Sequence, residues 1–319
     1  GSTRNVTYKN IKVVRGWCGM RATTNITNLT IDGWISEEVS EGALRLGDGG
    51  VPEPFDMFNL VVKNVYGYDS LNGALIPGTT GKSKPYLLLK KADGLLVENV
   101  FMENGLSCGL GTFEKSRNVV LKNMSADGFG AGSGIIGLHT HENDGISLIN
   151  CFVRSKSDGV GKSIFFSEYD KNVSLVHNTF IASNTNDVGP NFKDVKQIEE
   201  IAGCIFKTSN NNSVLSIGFN RNGGYKATLA ADFMAEHDNV FVSSGEYFPY
   251  IGIIGLAELN GGDYTKISAL GGISPASYQR MLGRGQNSRF TLDGGKVTLE
   301  SRIKKDASLS EKVYLSSTS

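Results

Sequence analysis

Glu114, His141 and Glu168 stand 27 positions apart, each four residues before an Asn or Gly that opens an apolar strand. Two carboxyl groups with an imidazole between them can do acid–base work on a glycosidic bond. One carboxylic acid protonates the leaving oxygen while the other group, as carboxylate, activates water. Neighbouring strands of a stacked sheet lie about 4.8 Å apart, so this beat sets the two glutamates on alternate coils, roughly 9 to 10 Å apart at the backbone. Inverting hydrolysis needs carboxyls about 6.5 to 9.5 Å apart, and the spacing is compatible. Glu114 and Glu168 are therefore the candidate acid and base, with His141 between them to tune their protonation. Lys90, Thr112, His139, Phe166 and Phe206 share the same outward phase and are expected to contact substrate, together with Tyr169 and Asp170 beside them. Phe166 and Phe206 would offer flat apolar faces to sugar rings.

Tyr169 beside His141 also suits a rival chemistry, β-elimination on a uronic acid, with Lys90 or Lys115 as the cation that neutralises the carboxylate. Glu142, Asp144 and Asp170 flank the column and replace a member of it if the register shifts by one. The same residues also read as an ordinary solvated face whose opposite charges on adjacent strands stabilise stacking by about 0.2 to 1 kcal/mol per pair. A second row, Tyr68, Glu103, Asp127 and Arg154, lies four residues beyond the strand-end asparagines and reads as a structural salt-bridge ladder. No residue pattern implies a metal or a cofactor.

The elements that must position these groups repeat one grammar. Asn5-Val-Thr-Tyr-Lys-Asn10, Asn59-Leu-Val-Val-Lys-Asn64, Gly94-Leu-Leu-Val-Glu-Asn99, Asn118-Val-Val-Leu-Lys-Asn123, Gly145-Ile-Ser-Leu-Ile-Asn150 and Asn172-Val-Ser-Leu-Val-His177 are each a short β pattern closed by a polar corner. Such units bury a core only by stacking, which indicates a solenoid. Side chains alternate faces along a strand. Leu87, Leu89, Gly111, Phe113, Leu138, Thr140, Phe165 and Ser167 then point inward, and Lys90, Thr112, Glu114, His139, His141, Phe166, Glu168, Phe206 and Thr208 point outward. The corner residues Asn10, Asn64, Asn99, Asn123 and Asn150 are expected to form an internal amide ladder, because buried amides at turns must be paired.

Two longer excursions interrupt the repeats, between Ile35 and Phe58 and between Ser183 and Gly203. In the second, apolar residues at 192, 195, 198 and 201 fall three apart and predict a short helix. After about Ser244 the repeat fades, and Ser288–Leu292 and Lys296–Glu300 around Asp293-Gly-Gly295 predict a hairpin. The fold class is thus all-β: a right-handed single-stranded parallel β-helix over residues 1–243, with a β-rich cap or trimerisation region over 244–319.

Composition narrows the partners. With 32 basic and 32 acidic residues in 319, no net field points to nucleic acid or an anionic membrane. No apolar run approaches a membrane span and no leader is visible, while Gly1-Ser2 reads as a cloning remnant ahead of a strand already in register. That start suggests a preceding segment. Cys18, Cys108, Cys151 and Cys204 are scattered, with no C-x-x-C pair, and read as small residues in or near the core.

The repeats resemble the right-handed parallel β-helices of pectate lyases and phage tailspikes over roughly three quarters of the chain. The Asn-Thr-Asp, paired-Asp and Arg-Ile-Lys motifs of polygalacturonases are absent, as is the acidic cluster with catalytic Arg of calcium pectate lyases. What remains is similar to tailspikes that depolymerise bacterial surface polysaccharide. That resemblance implies a capsule or O-antigen substrate, a homotrimer, attachment to a phage tail through the preceding segment, and an extracellular place on the virion; a secreted microbial enzyme is the alternative. It transfers no catalytic residue, and a glycan-binding adhesin without activity is the other class the sequence allows.

Overall fold

A computed structural model describes residues 3–23, 25–39, 42–47, 55–68, 86–103, 109–129, 135–155, 161–184, 187, 189–209, 215–217, 239–243, 251–253, 289–293, 296–300 and 312–315. They form an all-β parallel solenoid made of two sheets, with no helix among the described residues. The first sheet takes β1 (Thr3–Val14), β3 (Ile26–Glu37), β5 (Met57–Tyr68), β7 (Ala92–Glu103), β9 (Arg117–Phe129), β12 (Phe152–Ser155), β15 (Thr179–Ala182), β18 (Ile205–Thr208) and β20 (Asn239–Ser243), with β11 (Asp144–Ile149), β14 (Lys171–Val176) and β17 (Ile198–Ala202) alongside. The second runs β2 (Met20–Ala22), β4 (Leu44–Leu46), β6 (Leu87–Lys90), β8 (Gly111–Glu114), β10 (Ile135–His141), β13 (Gly161–Glu168), β16 (Asn191–Lys193), β19 (Leu215–Ile217) and β21 (Ile251–Ile253).

The long strands are bent, and the sequence says where. In β7 the buried residues are Ala92, then Leu95 and Val97, then Val100 and Met102. Strict alternation would break at the two steps of three. It survives because Gly94 and Asn99 have φ of +76° and +57°, and each left-handed residue turns the chain and resets the phase. Asn28, Asn59, Asn64, Asn118 and Asn123 do the same in neighbouring coils. Asparagine is chosen because it tolerates this conformation and its amide bonds to the next coil.

The ladder is real, but it stands on the outside of the corner rather than inside. Asn99 donates to Asn64, Asn123 to Asn99, and Asn150 to Asn123, at 3.1, 3.1 and 2.9 Å. A left-handed residue at a convex corner aims its side chain away from the core, which is why the expected burial fails. A second outer ladder joins Asn28 to Asn5 and Asn59 to Asn28. Where Gly94 and Gly145 take the left-handed position, the preceding Asp93 and Asp144 accept instead, from Asn118 and Asn172.

The inward phase is as expected: Leu87, Leu89, Gly111, Phe113, Leu138, Thr140, Phe165 and Ser167 are all buried. Phe165 stacks on Phe180 and Phe180 on Phe206, at 5.7 and 5.8 Å between ring centres, and Phe192 meets Phe165 edge-on at 5.6 Å. Such pairs contribute about 0.5 to 1.5 kcal/mol each beyond burial. Cys151 and Cys204 are also core, their thiols pushed up to about 12 and about 11 by burial. Cys108 lies outside the described residues.

The expected helix over 192–201 is instead two strands, β16 and β17. Its spacing of three has two other causes. Asp194 is left-handed at φ +52°, which shifts the phase from Phe192 to Val195. A bulge in the β14–β17 pairing, where Val173 faces Ile198 but Ser174 faces Glu200, produces the step from Ile198 to Ile201.

Both sheets end on antiparallel strands from the C-terminal part of the chain. β24 (Lys312–Leu315) pairs with β20, and β23 (Lys296–Glu300) pairs with β21 and with β22 (Arg289–Asp293). The β22–β23 hairpin, with Asp293 facing Lys296, is the one expected from Asp293-Gly-Gly295. A strand of opposite direction is one way to finish a sheet edge that would otherwise template further pairing.

Candidate functional site

Register pairing puts the column in one line across the second sheet. Lys90 faces Glu114, Glu114 faces His141, His141 faces Glu168, and Glu168 faces Lys193. Charge along this outward row therefore runs cation, anion, imidazole, anion, cation. Lys90 Nζ lies 2.7 Å from Glu114 Oε2, and Lys193 Nζ donates to Glu168 Oε1. Both carboxylates are three-quarters or more buried, so these are tighter pairs than typical surface bridges. A parallel row two residues upstream holds Leu88, Thr112, His139, Phe166 and Asn191.

Aromatic contacts knit the two rows. His139 stacks on Phe166 at 5.5 Å and lies 5.9 Å from the His141 ring, and Tyr169 meets His141 edge-on at 5.6 Å. Lys193 Nζ sits over the Tyr169 ring at 5.1 Å. His141 Nε2 is 3.3 Å from Glu142 Oε1, and His139 Nε2 is 4.0 Å from Glu168 Oε2. Among the described residues, no group of three His, Cys, Asp or Glu is placed to hold a metal ion.

The row is held by the corner beneath it. Lys91, Lys115, Glu142, Tyr169 and Asp194, each directly after a row member, all have φ between +52° and +58°. Asp194 is of a type that visits this conformation, but Lys91, Lys115, Glu142 and Tyr169 are not, so each of those four costs about 1 to 2 kcal/mol. One step further, Ser116, Asn143 and Asp170 turn inward and bond across coils. Ser116 N donates to Asn143 Oδ1, and Asn143 N and Nδ2 both donate to Asp170 Oδ1, at 3.0, 2.8 and 2.9 Å. Thr140 and Ser167 hydroxyls donate to Asp170 Oδ2.

Two expected substrate contacts are thereby corrected. Asp170 is fully buried with its oxygens engaged by four donor groups, so it positions the corner and does not reach the face. Burial pushes its carboxyl up, and the donors pull it back. Phe206 is fully buried, as is Thr208, and both belong to β18 of the first sheet, stacked on β15. The fifth strand of the site is β16, inside the excursion that the spacing of three disguised as a helix. Lys193, Asn191 and Asp194 were missed for that reason. The signal was present: Lys193 follows Glu168 by 25 residues, close to the beat of 27.

In the second row, Tyr68, Glu103, Asp127 and Arg154 pair strand by strand, and Arg154 clasps Asp127 with two bonds of 2.5 and 2.7 Å. Tyr66 Oη donates to Glu103 at 2.9 Å. Of the salt-bridge ladder expected, the row holds one ion pair, Arg154 with Asp127, while Glu103 and Asp127 are like-charged neighbours.

His139 carries a pH consequence. Burial pushes its pKa below 6.5, with Glu114 and then Glu168 pulling the other way. The unfolded chain therefore binds the proton first as pH falls. The stability tied to neutral His139 is present above about 6.5 and is lost as pH drops through the folded value. Denaturant midpoints measured from pH 8 to pH 5 should fall less steeply in His139→Gln than in the natural sequence; identical slopes would remove His139 from the account.

No family model, curated protein or solved structure matches this chain.

Proposed function

We propose that this protein binds and cleaves a bacterial surface polysaccharide, capsule or O-antigen, by glycosidic hydrolysis on the outward face of β6, β8, β10, β13 and β16. The observation that carries this reading is the register of Glu114 and Glu168, two coils apart on one face with His141 between them. Their separation, roughly 9 to 10 Å at the backbone, leaves room for a water on one side of a sugar and an acid on the other. Tyr169, His139, Phe166 and Thr112 then contact the sugar chain, and Lys90 and Lys193 orient the two carboxylates. In this reading the protein acts outside the cell as a tailspike-like homotrimer on a phage tail.

A second reading, elimination on a uronic acid, is favoured by the His141–Tyr169 contact with Lys193 over the tyrosine ring. Incubation with a panel of purified capsules and O-antigens separates the two. Hydrolysis shortens chains without new absorbance near 235 nm, elimination shortens them with it, and a pure adhesin retains the polymer on a column while leaving its length unchanged. Shortened chains with the unsaturated product would replace the hydrolase reading by the lyase one.

A further inference from the structure

Three polar atoms around Glu168 are buried without a hydrogen-bond partner: His139 Nε2, Asn191 Oδ1 and Asp194 Oδ2. Buried polar groups are overwhelmingly paired, so three orphans on the two strands that flank Glu168, His139 on β10, Asn191 on β16 and Asp194 directly after it, require a partner that comes from outside the chain. Their chemistry restricts that partner. Asn191 Oδ1 and the Asp194 carboxylate oxygen accept hydrogen bonds. His139 Nε2, at 4.0 Å from Glu168, is too far to donate to it; burial favours the neutral ring, in which Nε2 accepts when the proton sits on Nδ1.

The cations of the same face are already engaged. Lys90 pairs with Glu114, Lys193 with Glu168, Lys115 with Glu142 at 3.8 Å and Lys91 with Asp56 at 3.8 Å. A ligand carboxylate or phosphate would bring more acceptors to a wall of acceptors, beside the charges of Glu168 and Asp194. Hydroxyl groups bring the missing donors. Between His139 and Asn191 in the same row stands Phe166, half-buried. A flat apolar ring flanked by acceptors matches a pyranose, with its C–H face on the ring and its hydroxyls at the edges.

We propose that His139, Phe166, Asn191 and Asp194 form a subsite for an uncharged, hydroxyl-rich sugar unit, centred on the coil that carries Glu168, that rejects a uronic acid at that position. The proposal rests on the reading of the row as a glycan site and narrows its substrate class.

The test is a titration of the full chain followed by the imidazole ¹H–¹³C signals of His139, assigned by their loss in His139→Gln. One set of probes is the methyl glycosides of glucose, galactose, mannose and rhamnose; the other is the methyl glycosides of glucuronic and galacturonic acid. A neutral glycoside should shift the His139 signals while the uronates leave them in place, and Asn191→Leu should weaken the neutral response at least tenfold. Uronates that shift His139 at equal or lower concentration overturn the proposal, as does the absence of any response to the neutral set. The comparison of the two probe sets decides the matter even if Asn191→Leu does not fold. A neutral response in a protein that shortens no polymer sinks the depolymerase reading and leaves the subsite standing; cleavage with a uronate preference at His139 does the reverse.

Discussion

Glu168→Gln and Glu114→Gln are each expected to lower the rate of polysaccharide shortening by about 100-fold or more, the usual scale of a general acid or base. Glutamine keeps the volume and an oxygen that can still accept from the neighbouring lysine, Lys193 for Glu168 and Lys90 for Glu114. What it removes is the proton transfer. Retention of the polymer on the immobilised variants should therefore be unchanged, so that the loss falls in kcat. The two changes together should cost little more than the worse single one, since an acid and a base that act in one step fail as a unit. Near-normal shortening by both single variants would reduce the row to a decorated surface. Glu103 is then the next carboxylate to test, because Asp127 is clasped by Arg154.

The largest effect on folding is expected at Asp170. Its two oxygens receive Thr140, Ser167 and both the backbone and side-chain nitrogens of Asn143, all inside the corner that carries Glu168 and His141. Asp170→Ala leaves those donors buried without an acceptor, at about 1 to 3 kcal/mol for each that water cannot reach. A loss of roughly 3 kcal/mol or more in denaturant unfolding is the expected outcome. Asp170→Asn should be milder, because one oxygen still accepts from Asn143 and the Thr140 and Ser167 hydroxyls can rotate to face an amide. Equal stability of Asp170→Ala and the natural sequence would show that the inner column is not what holds the corner. If Asp170→Asn folds, its rate of polysaccharide shortening reports how far the corner positions the row, separately from stability.

The repeat grammar was legible because left-handed corners select for a short list of residues. Asn59, Asn64, Asn99, Asn118 and Asn123, with Gly94 and Gly145, all sit where the chain must bend, and few other side chains tolerate that φ. Alternation between corners then separates core from face, and so Leu87, Phe113, Leu138 and Phe165 could be assigned inward from their order alone. The alignment of Glu114, His141 and Glu168 followed from the same beat. Legibility failed where a corner uses other residues. Lys91, Lys115, Glu142, Tyr169 and Asp194 adopt the same left-handed conformation with no compositional mark, because stacking on neighbouring coils holds them there. The corner at Asp194 and the bulge beside Ile198 together made two strands look like one helix, which hid Lys193 and Asn191 and moved Phe206 to the wrong sheet.

By itself the sequence determined that the chain is a stack of parallel β coils, where most corners fall, and that two carboxylates and a histidine share one outward line, since a 27-residue beat held over three coils with period-two alternation aligns them. Only the tertiary structure decided which groups close that line and how each is paired. Lys193, Asn191 and the buried Asp170 take their roles from loops of unequal length, and a shift of one residue at a bulge or an unmarked corner exchanges inside for outside without leaving a trace in composition.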